Sequence, residues 1–457
     1  MMFRDPRIVE LIKPFAGIIS SLKNISMKKI FNYKLFLFAA LAMSLNSCKM
    51  DVPNINQPSG SAVPTTREGI IAISAGLQMY YSTNGIAATY FYPAVTAREL
   101  KGVATFTNTL ELEAGGTELP TANGNILTLW SSMQKLLGMS ESVLNNASSI
   151  STLTGGTLSG TLANAHLYRA IALGALATSF EKANTQTQKD GKVAFVDRQA
   201  VLAEAIKSLN TAIALVQQTP ISSEFTSTVT GSTINLLNCL HAFNARFNLM
   251  AGNYQQAYSE ANLVDLTKKS TFTYTAISVN PLWNQTSILK YYVVRENLGL
   301  PTGLFETGDK RLDFYTKLNG ATLQLKGFSE TQNGEVPVYL PDEMKLIKAE
   351  ALLRNNGSLT EARDLINEVR TQTASDLFNV NAGLPAYAGA INKNDLLLEV
   401  YKQRCAELFM SGLRLEDSRR FGRPAPPQNT AERNRNFYPY PDQERIGNPN
   451  TPADPEI

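Results

Sequence analysis

Cysteine and histidine are scarce in this chain, with 3 Cys and 2 His in 457 residues. A disulfide-stapled scaffold is therefore excluded, and a metal centre built on thiolate and imidazole has few donors to draw on. Charge is thin as well: 18% of residues are Asp, Glu, Lys or Arg, against about 25% in an average globular chain. Ser, Thr, Asn and Gln fill the surface instead. Such a surface hydrogen-bonds neutral polar groups and attracts polyanions poorly, so nucleic acid is not an expected partner. Glycine-rich phosphate loops, HExxH and EF-hand spacings are missing, and no cofactor, metal site or catalytic residue is expected. What is present suits a large core: 44% hydrophobic and 9% aromatic residues with a net charge of only +3 exclude disorder.

The positive balance belongs to the first residues. Residues 1–47 hold Arg4, Arg7, Lys13, Lys23, Lys28, Lys29 and Lys34 against Asp5 and Glu10, so the remainder of the chain is slightly acidic. From Met27, which reads as the start of the leader, Lys28, Lys29 and Lys34 precede the apolar run Leu35–Leu45. That run is shorter than the roughly 20 residues a spanning helix needs, but it fits the core of a signal peptide. It ends in Leu45-Asn46-Ser47-Cys48, which resembles a bacterial lipobox and marks Cys48 as the lipidated first residue of the mature protein. Acyl chains contribute about 0.8 kcal/mol per buried methylene and can hold a folded domain on a bilayer. The expected organisation is a signal peptide over 1–47, a Pro- and Ser-containing tether over 48–66, and one binding domain over 67–457.

The body reads as all-α dominated. Leu127–Asn146, Ala163–Phe180 and Val201–Val216 show apolar residues at helical spacing, the last two with Ala on the inward side. Two segments match a tetratricopeptide-like helical hairpin: Ala245, Gly252, Tyr254, Ala257 and Ala261, and later Gly357, Leu359, Ala362 and Ile366. In each, the glycine is expected to end the first helix at positive φ and Ala to let the second helix approach closely. Thr83–Gly124, Thr271–Gly334 and Leu377–Lys393 read as long irregular, strand-poor insertions, where binding loops are commonly found. Ser148–Thr161 reads as a low-complexity loop, and the tail from Phe421 as an extended strap or a frayed end.

The C-terminal third carries the most specific pattern. It contains Glu399–Arg423 (EVYKQRCAELFMSGLRLEDSRRFGR), Val338–Glu350 (VYLPDEMKLIKAE), Leu365–Arg370 (LINEVR), and Phe437–Glu444 (FYPYPDQE) followed by Asn448-Pro449-Asn450. Together with the lipobox and tether, in this order, these segments resemble the SusD/RagB family of surface lipoproteins. The resemblance implies scattered tetratricopeptide-like hairpins with loop insertions. It also implies a place on the outer membrane, facing outward and held by the N-terminal lipid. The implied work is non-catalytic capture of an oligosaccharide, or in some members a peptide, for delivery to a TonB-dependent (SusC-like) transporter. A lipid-anchored glycosidase using two carboxylates is the rival from another class, and a pure assembly scaffold is a second.

Sugar recognition needs aromatic faces with amide or guanidinium groups beside them. Two clusters supply candidates: Tyr90, Phe91, Tyr92 and Arg98 in the first insertion, and Trp283, Asn284, Tyr291 and Tyr292 in the second. Trp283 is the leading single choice, whereas Trp130 lies on a periodic helix and reads as packing. Arg404–Glu407 and Arg414–Asp417 read as i,i+3 pairs on one helix over 399–423. They serve either a structural ion network or an acid-binding groove. His166 and His241, each in an Ala-rich helix, read as core or surface residues. Cys239 and Cys405 are buried free thiols or one disulfide.

Overall fold

Helices α1 (Arg67–Tyr80) and α2 (Ile86–Thr96) open the fold, followed by α3 (Thr107–Ala114), α4 (Gly124–Asn146), α5 (Gly155–Ser179) and α6 (Arg198–Gln218). Then come α7 (Leu236–Ala251), α8 (Tyr254–Asn262), α9 (Pro341–Arg354), α10 (Leu359–Arg370), α11 (Lys393–Glu407) and α12 (Arg414–Arg420). The structure is a computed structural model that describes residues 63–188 and 191–457. The expected signal peptide, Cys48 and most of the expected tether lie outside the described residues. Gly60–Ile457 form one compact unit.

Side-chain caps start many of these helices. Asn123 accepts from the Asn125 and Ile126 amides, Asn392 from Asn394 and Asp395, and Ser358 from Glu361, each satisfying donors that a helix start leaves unpaired. Successive helices then stack: α4 on α5, α5 on α6, α6 on α7, α7 on α8, α8 on α9, and α9 on both α10 and α11. α5 is buried along nearly its whole length, and Ala163, Ala170, Ala172 and Ala177 have no exposed surface. Its small residues let neighbours on several sides approach closely. Gly174 marks one such approach, since a Cβ there would sit 2.1 Å from the Phe247 ring of α7.

Both hairpins expected from the sequence form, α7–α8 and α9–α10, with Ala245, Ala257, Ala362 and Ile366 fully buried. Their turns differ. Gly252 ends α7 at φ 83, but in the second hairpin the left-handed residue is Asn356, at φ 55, and not Gly357. Asn tolerates that conformation, so the position of the turn shifts by one residue.

Several other expectations are corrected. Residues 155–161 of the Ser/Thr/Gly stretch are the first turns of α5, and the predicted 399–423 helix is two helices, α11 and α12, separated at 408–413. Met410 and Gly412 take positive φ there and turn the chain. The insertions hold little strand, but what they hold pairs across them. Strands β1 (Leu100–Gly102), β5 (Tyr292–Val294), β7 (Thr322–Leu325) and β6 (Thr316–Asn319) form an antiparallel sheet in the order β1-β5-β7-β6. Two-stranded pairs join β2 (Lys182–Ala183) to β3 (Val196–Asp197) and β4 (Thr271–Phe272) to β8 (Val336–Pro337). These strands are two to four residues long, too short for alternation to show in the sequence.

The tail is a strap. Tyr438 and Tyr440 are fully buried, the Tyr438 hydroxyl bonds that of Thr96 at 2.9 Å, and the Tyr440 hydroxyl donates to the Lys182 carbonyl at 3.2 Å.

Candidate functional site

The two candidate clusters come together. β1, which follows α2, pairs with β5 in the register Lys101–Val293 and Gly102–Tyr292. Their side chains have divergent fates. Phe91 is buried and stacks on buried Tyr292, with ring centroids 5.0 Å apart and planes at 25°. Both belong to the core, so their reading as ligand contacts is corrected: they sit on a regular helix and strand, whose inward faces pack. Tyr90 also turns inward, lining small cavities with Arg246, and burial raises its phenol above the usual range. Tyr92 is half-buried, and burial pushes its hydroxyl up to about 12.

Tyr291 precedes β5, and its ring lies edge-on to that of Tyr292 at 6.3 Å. It is half-buried and meets the Phe106 ring edge-on at 5.4 Å, while Phe106 is 59% exposed. Val103 and Leu110 beside them are exposed too. Trp283 ends a one-turn helix, Pro281–Trp283, capped by the Asn280 side chain. Trp283 and Asn284 are half-buried, and Asn284–Ile288 continue as a π-helical turn that the Tyr291 amide closes onto the Gln285 carbonyl at 3.1 Å. The one-turn helix packs on a second π-helical turn, Tyr81–Gly85, between α1 and α2. Such turns widen a helix and recur at functional sites. Ile288 at the end of the first turn, Leu289 after it and Met79 at the end of α1 are exposed. The sequence reading missed Phe106; its signal was an aromatic residue directly before a helix start in a polar loop.

Arg98 lies at the other end of α2, at φ 63. Its guanidinium donates to the Thr430 carbonyl at 3.1 Å and the Glu113 carbonyl at 3.0 Å, and pairs with the Glu113 carboxylate at 3.4 Å. Burial and the adjacent Arg295 charge lower its pKa. Behind it, Glu99 is buried beside Arg414 at 3.7 Å and accepts from the Met410 amide. Burial pushes the Glu99 carboxyl up to about 7, with Arg414 pulling the other way.

Because folding raises this pKa, the folded chain holds a proton that the unfolded chain releases from about pH 4.5 upward. Stability from this group is full below that pH and is lost as pH climbs through 7. Across pH 5 to 8 the loss is on the order of 3 kcal/mol. Glu99→Gln is expected to flatten that part of the stability profile in urea titrations, and an unchanged profile would refute the assignment.

The arginine-rich segment is structural. Arg404 pairs in a bidentate fork with Asp417 at 2.8 and 3.1 Å, and not with Glu407 as the sequence spacing suggested. Arg414 donates to the Cys405 carbonyl at 2.7 Å instead of pairing with Asp417. Arg420 joins Asp417 to Glu350 on α9, and Arg419 and Arg198 share Glu416. The turn between α11 and α12 brings the two helices together so that Arg404 reaches Asp417 across them, while Arg419–Glu416 and Arg420–Asp417 form the i,i+3 pairs within α12. An acid-binding groove is not formed there, because these charges are buried and paired. Cys239 and Cys405 are buried free thiols, each pushed up to about 12 by burial. His241 bonds Glu260 at 2.7 Å inside the α7–α8 hairpin, and half-buried His166 is lowered to about 4 by burial.

One acidic group among the described residues could hold a cation: Asp342, Asp376 and Glu407, buried, with carboxylate oxygens within 4.8 Å of one another. Its all-oxygen donor set would suit a hard ion. The same crowding is eased by protonation, since burial and then Asp342 raise Glu407 well above the carboxylate range.

Comparison with known proteins gives one consistent answer. Residues 305–455 match the SusD family. No curated protein matches the sequence. Among solved structures, the chain is similar to a SusD-like carbohydrate binding protein from Bacteroides vulgatus (TM-score 0.65, 15% identity, 84% of this chain and 97% of that one). It is similar to a SusD superfamily protein from Bacteroides thetaiotaomicron (0.65, 16%, 85% and 100%). It also resembles surface glycan-binding protein A from Bacteroides uniformis (0.64, 15%, 85% and 99%). Residues 305–455 thus match the SusD family in sequence, and the chain shares the fold of SusD-like structures along nearly its whole described length.

Proposed function

We propose that this chain is a lipid-anchored outer-membrane protein that captures an oligosaccharide at the cell surface and passes it, unaltered, to a SusC-like TonB-dependent transporter. The observation that carries the reading is the exposed Phe106 ring braced edge-on by Tyr291, in segments that also hold half-buried Trp283 and Asn284. A braced ring offers a flat apolar face to the C–H side of a sugar at little entropic cost, because its orientation is already set. Asn284 and Gln285, on the turn that the Tyr291 amide closes, carry amides of the kind that grip hydroxyls. Two of the similar structures are named as carbohydrate- or glycan-binding proteins, which supports the ligand class. Anchoring through Cys48 rests on the lipobox pattern.

Phe106→Ala and Tyr291→Ala are each expected to weaken saccharide binding about tenfold, equivalent to about 1.4 kcal/mol. Calorimetric titration of the purified chain with glycans selected on an array measures this. Full-strength binding by both variants would remove the aromatic face from consideration. Cleavage of the bound glycan would replace capture with catalysis, and array hits confined to peptides would move the ligand class.

A further inference from the structure

A second site lies at the far end of α3 from the aromatic pair. Phe106 precedes the helix and Glu113 sits near its end, and eight residues of helix span about 12 Å. There a cleft of about 720 Å³ is lined by Arg98, Lys101, Glu113, Arg295, Glu296 and the 299–301 segment, a size in the range of small-ligand sites. Its polar lining is unbalanced, with three cations against two carboxylates.

Glu113 is already engaged by the protein. One oxygen accepts from both Arg98 and Arg295, and the other accepts from the Gly102 amide at 2.9 Å. Arg98 uses Nε and Nη1, and Arg295 uses Nε, to the Leu100 carbonyl at 3.0 Å, and Nη2. That leaves Nη2 of Arg98 and Nη1 of Arg295 without an acceptor among the described residues, although these side chains are only 16% and 28% exposed. Lys101, outward on β1, has none either. Each unused guanidinium edge is a ready donor for an oxyanion.

The backbone is strained around the same cleft. Arg98, Asn297 and Leu298 all have positive φ (63, 55 and 54), and Leu298 is fully buried. Gly299 follows at φ 78, where a Cβ would lie 1.9 Å from the Arg98 carbonyl. Residues held in such conformations persist where the surrounding structure forces them, commonly at binding sites. Arg98 lies at one of these positions and Arg295, in extended backbone just after β5, reaches the same wall, with the Arg98 guanidinium destabilised by burial and by its neighbour's charge. A bound anion would relieve that repulsion.

We propose that this cleft is a carboxylate-binding subsite that takes the acid group of a uronic-acid sugar. The inference rests on the reading of the chain as a saccharide binder and narrows its ligand to acidic glycans. The test titrates the full chain with an oligogalacturonate and with its methyl-esterified, uncharged form. The acid form is expected to bind about tenfold more tightly at low salt, with the advantage shrinking as ionic strength rises. Arg295→Gln and Lys101→Ala are expected to erode this preference. Phe106→Ala is expected to weaken both forms and leave the preference intact. Lys101→Ala touches an exposed side chain and guards against loss of folding as the explanation. Equal affinity for acid and ester overturns the subsite while leaving the saccharide reading standing, as does a preference that Arg295→Gln and Lys101→Ala leave unchanged. Acid-form binding that Phe106→Ala does not weaken, with no neutral glycan bound, supports the subsite and sinks the aromatic face. Failure of every saccharide to bind overturns both.

Discussion

Arg311→Met is expected to lower the unfolding free energy by about 3–5 kcal/mol, the usual cost of stranding buried charges. Arg311 has no exposed surface. All its N–H donors have acceptors: Asp309 takes Nε and one Nη2 hydrogen, and the Gln403 side chain takes the other at 2.7 Å. Nη1 reaches the Glu407 carboxylate at 3.1 Å and the Gln403 carbonyl at 3.5 Å. Methionine fills much of the volume but leaves Asp309 and Glu407 unpaired, and Glu407 already crowds Asp342 and Asp376. The expected loss is read from urea midpoints. Arg311→Met combined with Glu407→Gln should recover part of it, because the second change replaces a buried carboxyl that has lost its partner with a neutral amide. The site also matters for architecture, since Arg311 and the Tyr315 hydroxyl, which donates to the Glu407 carbonyl at 2.8 Å, fasten the sheet-bearing insertion to α11. Limited proteolysis should cut the 300–335 region faster in the variant. A stability within about 1 kcal/mol of the parent would show that the network is worth little.

Trp130→Ala is expected to cost a similar amount, about 3–5 kcal/mol, by the large-to-small rule for buried aromatics. Trp130 is 3% exposed. Its ring meets Phe180 edge-on at 4.8 Å, lies parallel to Phe195 at 5.7 Å and meets Tyr440 edge-on at 6.1 Å, while Nε1 donates to Glu444 at 2.9 Å. Two of those partners belong to the C-terminal strap, so the cavity would open where the tail docks. Unfolding midpoints should fall, and protease sensitivity should rise within residues 436–450. Trp130→Phe should retain most of the packing and lose only the hydrogen bond. An Ala variant with an unchanged midpoint would mean the strap contributes little to holding α4.

The uneven legibility of the fold follows from the range of the forces involved. Long amphipathic helices announce themselves by period, as α4, α6 and α7 do, because amphipathicity is written within a dozen neighbouring residues. Trp130 was readable as packing for the same reason. α2 was not, because Ile86–Thr96 is apolar nearly all round and carries an internal Pro93, so it resembled a loop rich in aromatics. Phe91 and Tyr292 looked like equivalents of their neighbours Tyr90 and Tyr291. Only the pairing of β5 with β1, and the packing of α2 beneath it, decided which ring faces inward.

Charge partners were the least visible in sequence. Arg404 and Glu407 sit three residues apart and still choose partners elsewhere, Asp417 and Arg311, since the turn at 408–413 sets two helices at an angle that local spacing does not encode. The cleft of Arg98, Arg295 and Glu113 draws on residues nearly two hundred positions apart. The amino-acid order by itself determined the helical class, the paired hairpins, the SusD-like C-terminal pattern and the lipobox pattern, because each is a local pattern of side-chain type. Which aromatic is presented, which arginine keeps a free edge and where the strap closes were decided by tertiary packing, because those outcomes depend on the direction a side chain takes once distant segments exclude water together.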